Sequence, residues 1–371
     1  PKSFLLVFRH TPDIQDIELI KSIDFNKILN DHCMLSVEAI TEDEIAIGFM
    51  TGEQAYSLII IKICFDNQTS NDFKIDFQYF ENLPNPTFAI RKVENIIFVG
   101  IGPRLYYLRK NPNSEENNNK KEDSNESEII YKYQLETLDV SLPSAICFIE
   151  VSNGIIWLAD RIESVFAYRY SYNDKTGLVE NTKLIAVDTS PRQITSMTLI
   201  NENCVVVGEK RGMITIMRLP NDDIGNKNLK WRESPLPDRG ISLDTPVGQL
   251  MKIASYSVSE AVTSLLVSSK GAIFYTTLLG QIGAFIPLDK DEDYLMLLNA
   301  EMVMERISTE EFGLTISRRF PMEKICVVSS DILDLIEHLS RSSQEKFEAA
   351  TKCHIQNLFG LTCMIKQRAK F

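Results

Sequence analysis

Positive charge is in short supply in this chain: 39 Lys and Arg stand against 51 Asp and Glu, a formal net charge of −12 over 371 residues. A protein that neutralises phosphates as its main activity carries a basic stripe, so the balance argues against nucleic acid as the principal ligand. Histidine is scarcer still, with four residues, which leaves little material for acid–base catalysis. Trp157 and Trp231 are the only tryptophans, too few for a base-stacking platform. The seven cysteines (Cys33, Cys64, Cys147, Cys204, Cys326, Cys353, Cys363) are odd in number and include no C-x-x-C pair. Several sit in apolar runs such as Ile63-Cys64-Phe65 and Ile146-Cys147-Phe148. They read as buried free thiols of a reducing compartment, cytosol or nucleus, and not as a disulfide framework. No apolar run approaches the roughly 20 residues of a transmembrane helix, and the residues after Pro1 do not read as a signal peptide. The chain opens inside a strand-like run, Ser3 to Phe8, as a piece of something longer would.

What the sequence does have is a repeat. Five segments share one shape, a β-rich run, a few polar residues, a second β-rich run ending in a small residue, a turn and a third run: Met34 to Phe65, Thr87 to Arg109, Ser144 to Tyr170, Gln193 to Leu219 and Ala261 to Leu288. The small residue is Gly48, Gly100, Ala159, Gly208 and Thr276 in turn, and three turns carry a further glycine four positions on, Gly52, Gly212 and Gly280. An interval of roughly 50 to 70 residues fits one four-stranded propeller blade plus loops. Residues 111–128 are Asn, Glu, Lys and Ser with little else, and such a segment is expected to be a disordered insert. Asn221 to Pro246, rich in Pro, Asp and Gly, is a second excursion. With two more strands at Phe4–Phe8 and Glu18–Phe25, the reading is a mainly β protein of WD40-like blades. The propeller occupies 1–288 as an incomplete ring, seven-bladed once upstream strands are added. A β-sandwich with long loops is the alternative.

After Pro287 the period changes to that of helices, giving a small C-terminal helical domain over 289–371. Asp289 to Arg306 reads as a helix with Leu295, Leu298 and Met302 on one side. Ser329-Ser330-Asp331 is placed to cap a second, with Ile332, Leu335, Ile336 and Leu339 at helical spacing. Ser342-x-x-Glu345 has the form of a capping box opening a third, through Phe347 toward Ile355 and Leu358.

Asp331, Asp334 and His338 share a helical face, as a solvated face commonly does. Cys353, His354 and Cys363 lack zinc-finger spacing and a fourth ligand. Asp289-x-Asp291-x-Asp293 opens like a calcium loop, but Tyr294 and Ala300 stand where Gly and Glu are needed. Gly100-x-Gly102 has Leu105 in place of a third glycine. The inner-strand starts are apolar, which argues against a propeller hydrolase. No catalytic residue, metal or cofactor is expected.

With the blades placed, the run Tyr275-Thr276-Thr277-Leu278-Leu279-Gly280-Gln281-Ile282-Gly283 resembles the last-blade pattern of a family of three-propeller scaffold proteins. That family includes the UV-damaged DNA-binding protein, the large subunit of the cleavage and polyadenylation specificity factor, and the propeller subunit of splicing factor 3b. Asp188-Thr189-Ser190-Pro191-Arg192, Met217-Arg218-Leu219-Pro220 and Gly225-Asn226-Lys227-Asn228-Leu229-Lys230-Trp231 are similar to the splicing branch in particular. So is Phe320-Pro321 leading into Val327-Val328 and Asp331-Ile332-Leu333. The likeness is loose before residue 87 and firmer from 144 to 340. Gln193 replaces a frequent Trp, Ser329-Ser330 replaces Asp-Gly, and the polar insert is peculiar to this chain.

The resemblance implies the C-terminal portion of a non-catalytic scaffold of the U2 small nuclear ribonucleoprotein. It would act in the nucleus in branch-site recognition and prespliceosome assembly. Its implied partners are the HEAT-repeat large subunit and a small helical subunit of splicing factor 3b, and other U2 particle proteins. U2 and pre-mRNA would be reached mainly through them, and no membrane is implied. A polyadenylation-factor subunit or a ubiquitin-ligase adaptor of the same family is the alternative. Loops at a propeller face carry recognition, so Asp160, Arg161, Glu163, Arg192, Gln193 and Arg211 are the candidate partner-binding residues.

Overall fold

The structure, a computed structural model, describes residues 4–11, 16–24, 32–51, 55–65, 73–110, 133–173, 176–220, 247–288, 290–312, 327–329 and 334–368. The polar insert 111–128, the loop 221–246 and residues 330–333 lie outside the described residues. The chain divides into two compact units, residues 1–192 with 222–249, and residues 193–221 with 250–371.

In the first unit, β1 (Phe4–Thr11) and β2 (Asp16–Asp24) form an antiparallel hairpin. Three sheets follow, each an antiparallel meander. The first runs β3 (His32–Ala39), β4 (Glu44–Thr51), β5 (Ala55–Phe65), β6 (Phe73–Leu83). The second runs β7 (Thr87–Val93), β8 (Ile96–Ile101), β9 (Arg104–Lys110), β10 (Tyr133–Ser141). The third runs β11 (Ile146–Ser152), β12 (Ile155–Asp160), β13 (Val165–Asn173), β14 (Leu178–Val187), with β18 (Gly248–Gln249) added in parallel on β14. The first strands β3, β7 and β11 lie side by side. This is the arrangement of propeller blades, and it replaces the sandwich alternative: the sheets are separate meanders stacked face to face along the chain.

Stacking explains why the second strands are not amphipathic. Every residue of β8 (Ile96–Ile101) and β12 (Ile155–Asp160) is buried. Ile97, Val99 and Ile101 pack toward Ala46, Leu58 and Ile60 of the preceding sheet. Ile96 and Phe98 pack toward Ile146, Ile156 and Leu158 of the next. A strand covered on both faces reads as a continuous apolar run. The small residue of the repeat has the same cause. A Cβ on Gly48 would lie 2.7 Å from the Thr87 carbonyl oxygen, and one on Gly100 would lie 2.9 Å from Ile146 Cβ. Each glycine sits where the next inner strand begins. The outer edges are tied as well. Gln78 of β6 donates to the Tyr133 carbonyl at 2.7 Å and accepts from its N–H at 3.2 Å, a side chain mimicking a strand. The buried Tyr133 hydroxyl donates to Glu44 at 2.8 Å.

The second unit holds β15 (Ile194–Asn201), β16 (Cys204–Glu209), β17 (Met213–Arg218) and β19 (Met251–Ser257) in one sheet. A three-stranded sheet of β20 (Val262–Val267), β21 (Ile273–Thr277) and β22 (Ile282–Phe285) follows. Val206 and Ile214 pack against Val262, Leu265, Ile273 and Tyr275. A Cβ on Gly208 would lie 2.5 Å from Val262 Cγ1, the same close approach.

Helices follow, with four departures from expectation. Helix α1 spans Asp291–Phe312, and it buries Leu297, Ala300, Val303, Met304 and Ile307, while Leu295 and Met302 are 60% and 49% exposed. The buried stripe is therefore the opposite one to 295/302. A 3-10 turn, Leu335–His338, buries Ile336. Helix α2 (Arg341–Thr351) is capped by Ser340, whose hydroxyl accepts from the Ser343 N–H at 3.4 Å, so Ser342 lies inside the first turn. Lys352 at φ 54 then stops the helix, and α3 (Ile355–Arg368) is a separate element. No helix among the described residues is long and apolar enough to cross a membrane.

Candidate partner-binding turns

The candidate residues fall on turns, and the turns are built by carboxylates turned inward. Asp160 ends β12 with none of its surface exposed. Its Oδ1 accepts from the N–H groups of Ile162 and Glu163 at 3.1 and 2.6 Å, closing the β12–β13 turn. The Arg161 N–H donates to the Ala145 carbonyl at 3.1 Å, which fixes the turn on the approach to β11. Arg161 and Ile162 are left exposed at the tip, and Glu163 is half-buried.

A second turn locks onto the first. Asp188 accepts from Ser164 Oγ and from Arg192 Nε, both at 2.5 Å, and from the Ser190 N–H at 3.1 Å. The Arg192 N–H donates to the Glu163 carbonyl at 2.7 Å. The ion pair is enclosed, with 11% of the Arg192 side chain and 6% of the Asp188 side chain exposed. Asp160, Arg161, Glu163 and Arg192 thus come together, but in different roles: Asp160 and Arg192 hold the turns, while Arg161 stands at the surface. The sequence places Arg192 on a loop, but the acid four residues before it, in the Asp188-Thr189-Ser190-Pro191-Arg192 turn, is a signal for an internal pair.

In the second unit, Gln193 is exposed and its carbonyl accepts from the Lys210 N–H at 2.9 Å. Lys210 and Arg211 form the exposed tip of the β16–β17 turn. Gly212 sits beneath that tip at φ +83, and a Cβ there would lie 2.6 Å from the backbone of Glu260.

A charged triad on the inner strands went unread in the sequence. Arg91 of β7 meets Glu150 of β11 at 2.7 Å and Glu38 of β3 at 3.9 Å. The three occupy matching places, two residues beyond the partners of Ala159, Gly100 and Gly48. Burial pushes the Glu150 carboxyl up to about 7, opposed by Arg91 and assisted by Glu38. The expected apolar inner-strand starts are found at Ile146, Ile194 and Val262 but not at His32 of β3 or Thr87 of β7, and midway along the first three inner strands the triad replaces apolar residues. Beside these sheets a cavity of about 380 Å³ is lined by Glu44, Lys92, Arg109, Tyr133 and Tyr172 among others. In the helices, Cys353 Sγ lies 3.8 Å from Met296 Sδ and His354 faces Glu348 at 3.5 Å.

Part of the chain, from residue 124 onward, is matched by a family model. Residues 124–331, more than half of the chain, match the family described as the CPSF A subunit region. The chain belongs to this family. Among curated proteins it is 33% identical over 177 residues to splicing factor 3B subunit 3 of Drosophila melanogaster, covering 44% of this chain and 13% of that protein. It is 27% identical over 246 residues to splicing factor 3B subunit 3 of Danio rerio, covering 62% and 18%. Probable splicing factor 3B subunit 3 of Dictyostelium discoideum is 25% identical over 314 residues, covering 77% and 22%. The chain therefore spans between 13% and 22% of these relatives' lengths. The match of this CPSF A family member takes in both the Asp160 and Asp188 turns and the Lys210–Arg211 tip.

Proposed function

We propose that this chain is the C-terminal part of a non-catalytic scaffold subunit of splicing factor 3b, working in the nucleus in pre-mRNA splicing. The observations that carry the reading are the CPSF A subunit region of this chain and its similarity to relatives named splicing factor 3B subunit 3, in one case over 77% of its length. In this reading residues 1–288 serve as propeller and 289–371 as helical domain. Together they hold the HEAT-repeat large subunit and a small helical subunit within the U2 particle, during branch-site recognition and prespliceosome assembly. RNA is reached mainly through those proteins.

The physical support is of two kinds. Blades packed on both faces make a stiff base for turns that vary freely, which is what a scaffold needs. The exposed tips at Arg161 and Arg211 supply charge for register and specificity rather than bulk affinity. The test is affinity purification of the tagged full-length protein from cells, with partners identified by mass spectrometry. Branch-site proteins are expected. Recovery of cleavage and polyadenylation proteins, toward which the family's description points, or of ubiquitin-ligase proteins, would replace this reading.

A further inference from the structure

The turn between β21 and β22 carries leucines where turns usually carry Gly, Asn, Asp or Ser. Leu278 and Leu279 are 71% and 80% exposed, and Ile282 just beyond them is 77% exposed. None of the three packs into a hydrophobic cluster among the described residues, and exposed aliphatic groups gathered at one turn mark an interaction site.

The tip is held in place from below. The Thr277 N–H donates to the Gln281 carbonyl at 3.0 Å and the Gly280 N–H to the Thr277 carbonyl at 3.1 Å. The Thr277 hydroxyl donates to Glu260 Oε2 at 2.5 Å and accepts from the Gln281 N–H at 3.1 Å. The Leu278 N–H donates to the Ala261 carbonyl at 2.9 Å. Gly280, at φ +90, completes the turn in open space. A tip already ordered loses little conformational freedom on binding.

The same short segment also supports the neighbouring tip. Gly212 packs on the backbone of Ser259 and Glu260, and its carbonyl accepts from the Val258 N–H at 2.8 Å. Residues 258–261 therefore couple the exposed Lys210 and Arg211 to the exposed leucines within one unit. Neither cation has an ion-pair partner among the described residues.

We propose that Leu278, Leu279 and Ile282 form an apolar knob, flanked by Lys210 and Arg211, that seats in an apolar groove with an acidic rim on a partner protein. The shape decides between occupants. A projecting turn with no concavity of its own does not receive a helix; it enters a groove, as between two packed helices. The flanking cations select a groove bordered by carboxylates and disfavour a basic one. This rests on the scaffold reading for the existence of a partner, and deepens it by naming the surface and its chemistry.

The experiment places a cysteine at the tip with Leu279→Cys in the tagged full-length protein. Maleimide labelling at residue 279 is followed by mass spectrometry, in the protein purified alone and in the assembly isolated natively from cells. Labelling is expected to slow at least about tenfold in the assembly, as an excluded interface requires. A zero-length carbodiimide should couple Lys210 to an Asp or Glu of whichever subunit covers the tip. Equal labelling in both preparations, or coupling of Lys210 to no acidic residue of a recovered partner, overturns the knob; recovery of the protein with no partner overturns the scaffold reading and the knob with it. Protection by a protein other than the HEAT-repeat subunit leaves the knob standing and overturns that partner assignment.

Discussion

Charge reversal separates Arg192 from Arg161, two cations of neighbouring turns. The Arg192 side chain is enclosed with Asp188, and removing one member of a buried pair leaves the other charge uncompensated, at a cost of about 3 kcal/mol or more. R192E is expected to lose stability on that scale in urea denaturation, whereas R161E, at an exposed tip, should cost under about 1 kcal/mol. Equal, small losses would show that the enclosed pair is not structural. Glu150 offers a test by pH. Its carboxyl, raised from 4.5 to about 7, binds its proton more tightly folded than unfolded. The group therefore favours the folded state most below pH 4.5, and that contribution is lost as pH rises from 4.5 to 7. E150Q cannot ionise, so its melting temperature should vary less with pH across that window than the wild type's. A wild-type slope retained by E150Q would place the titrating group elsewhere.

At the scale of elements, the repeat was legible because close packing demands one residue type at one place. Gly100 has room for no Cβ beside Ile146, so G100A is expected to destabilise the first unit by about 1–3 kcal/mol, as overpacking does. Chemical denaturation measures it, and an unchanged midpoint would remove blade contact as the reason for the glycine. The fourth strands β6, β10, β14 and β19 were not legible as part of the repeat. The outermost strand is wetted on its rim, so β10 (Tyr133–Ser141) mixes buried and exposed positions and keeps no fixed motif. The face of α1 was misjudged for a related reason. Tyr294 to Leu298 is an unbroken apolar run, which is compatible with several faces, and only contact with Ile336, Phe347 and Leu358 selects the Leu297–Met304 side. Near α2, Ser340, Ser342 and Ser343 all offer a hydroxyl; the backbone of Ser340, extended at ψ 156, settles which one caps.

At the scale of the whole chain, the surplus of acidic residues sets what it can hold without help. A net charge of −12 repels a phosphate backbone at long range; Arg161 is exposed at a turn tip of the first unit, and Lys210 and Arg211 share one turn tip of the second. The candidate face was half legible in the sequence: the turns could be placed from the repeat, but Asp160 and Arg192 turned inward because their carboxylate and guanidinium partners come from backbone and from Asp188. What remains outward is the charge that the proposed function assigns to protein contacts. Double reversal, R161E with R211E, should preserve the melting temperature and lower association with the branch-site proteins, each exposed charge contributing under about 1 kcal/mol. The same protein should bind bare single-stranded RNA weakly. Strong RNA binding whose affinity falls steeply with salt in filter assays, and drops further in the R161E/R211E variant, would mean these tips touch phosphate directly.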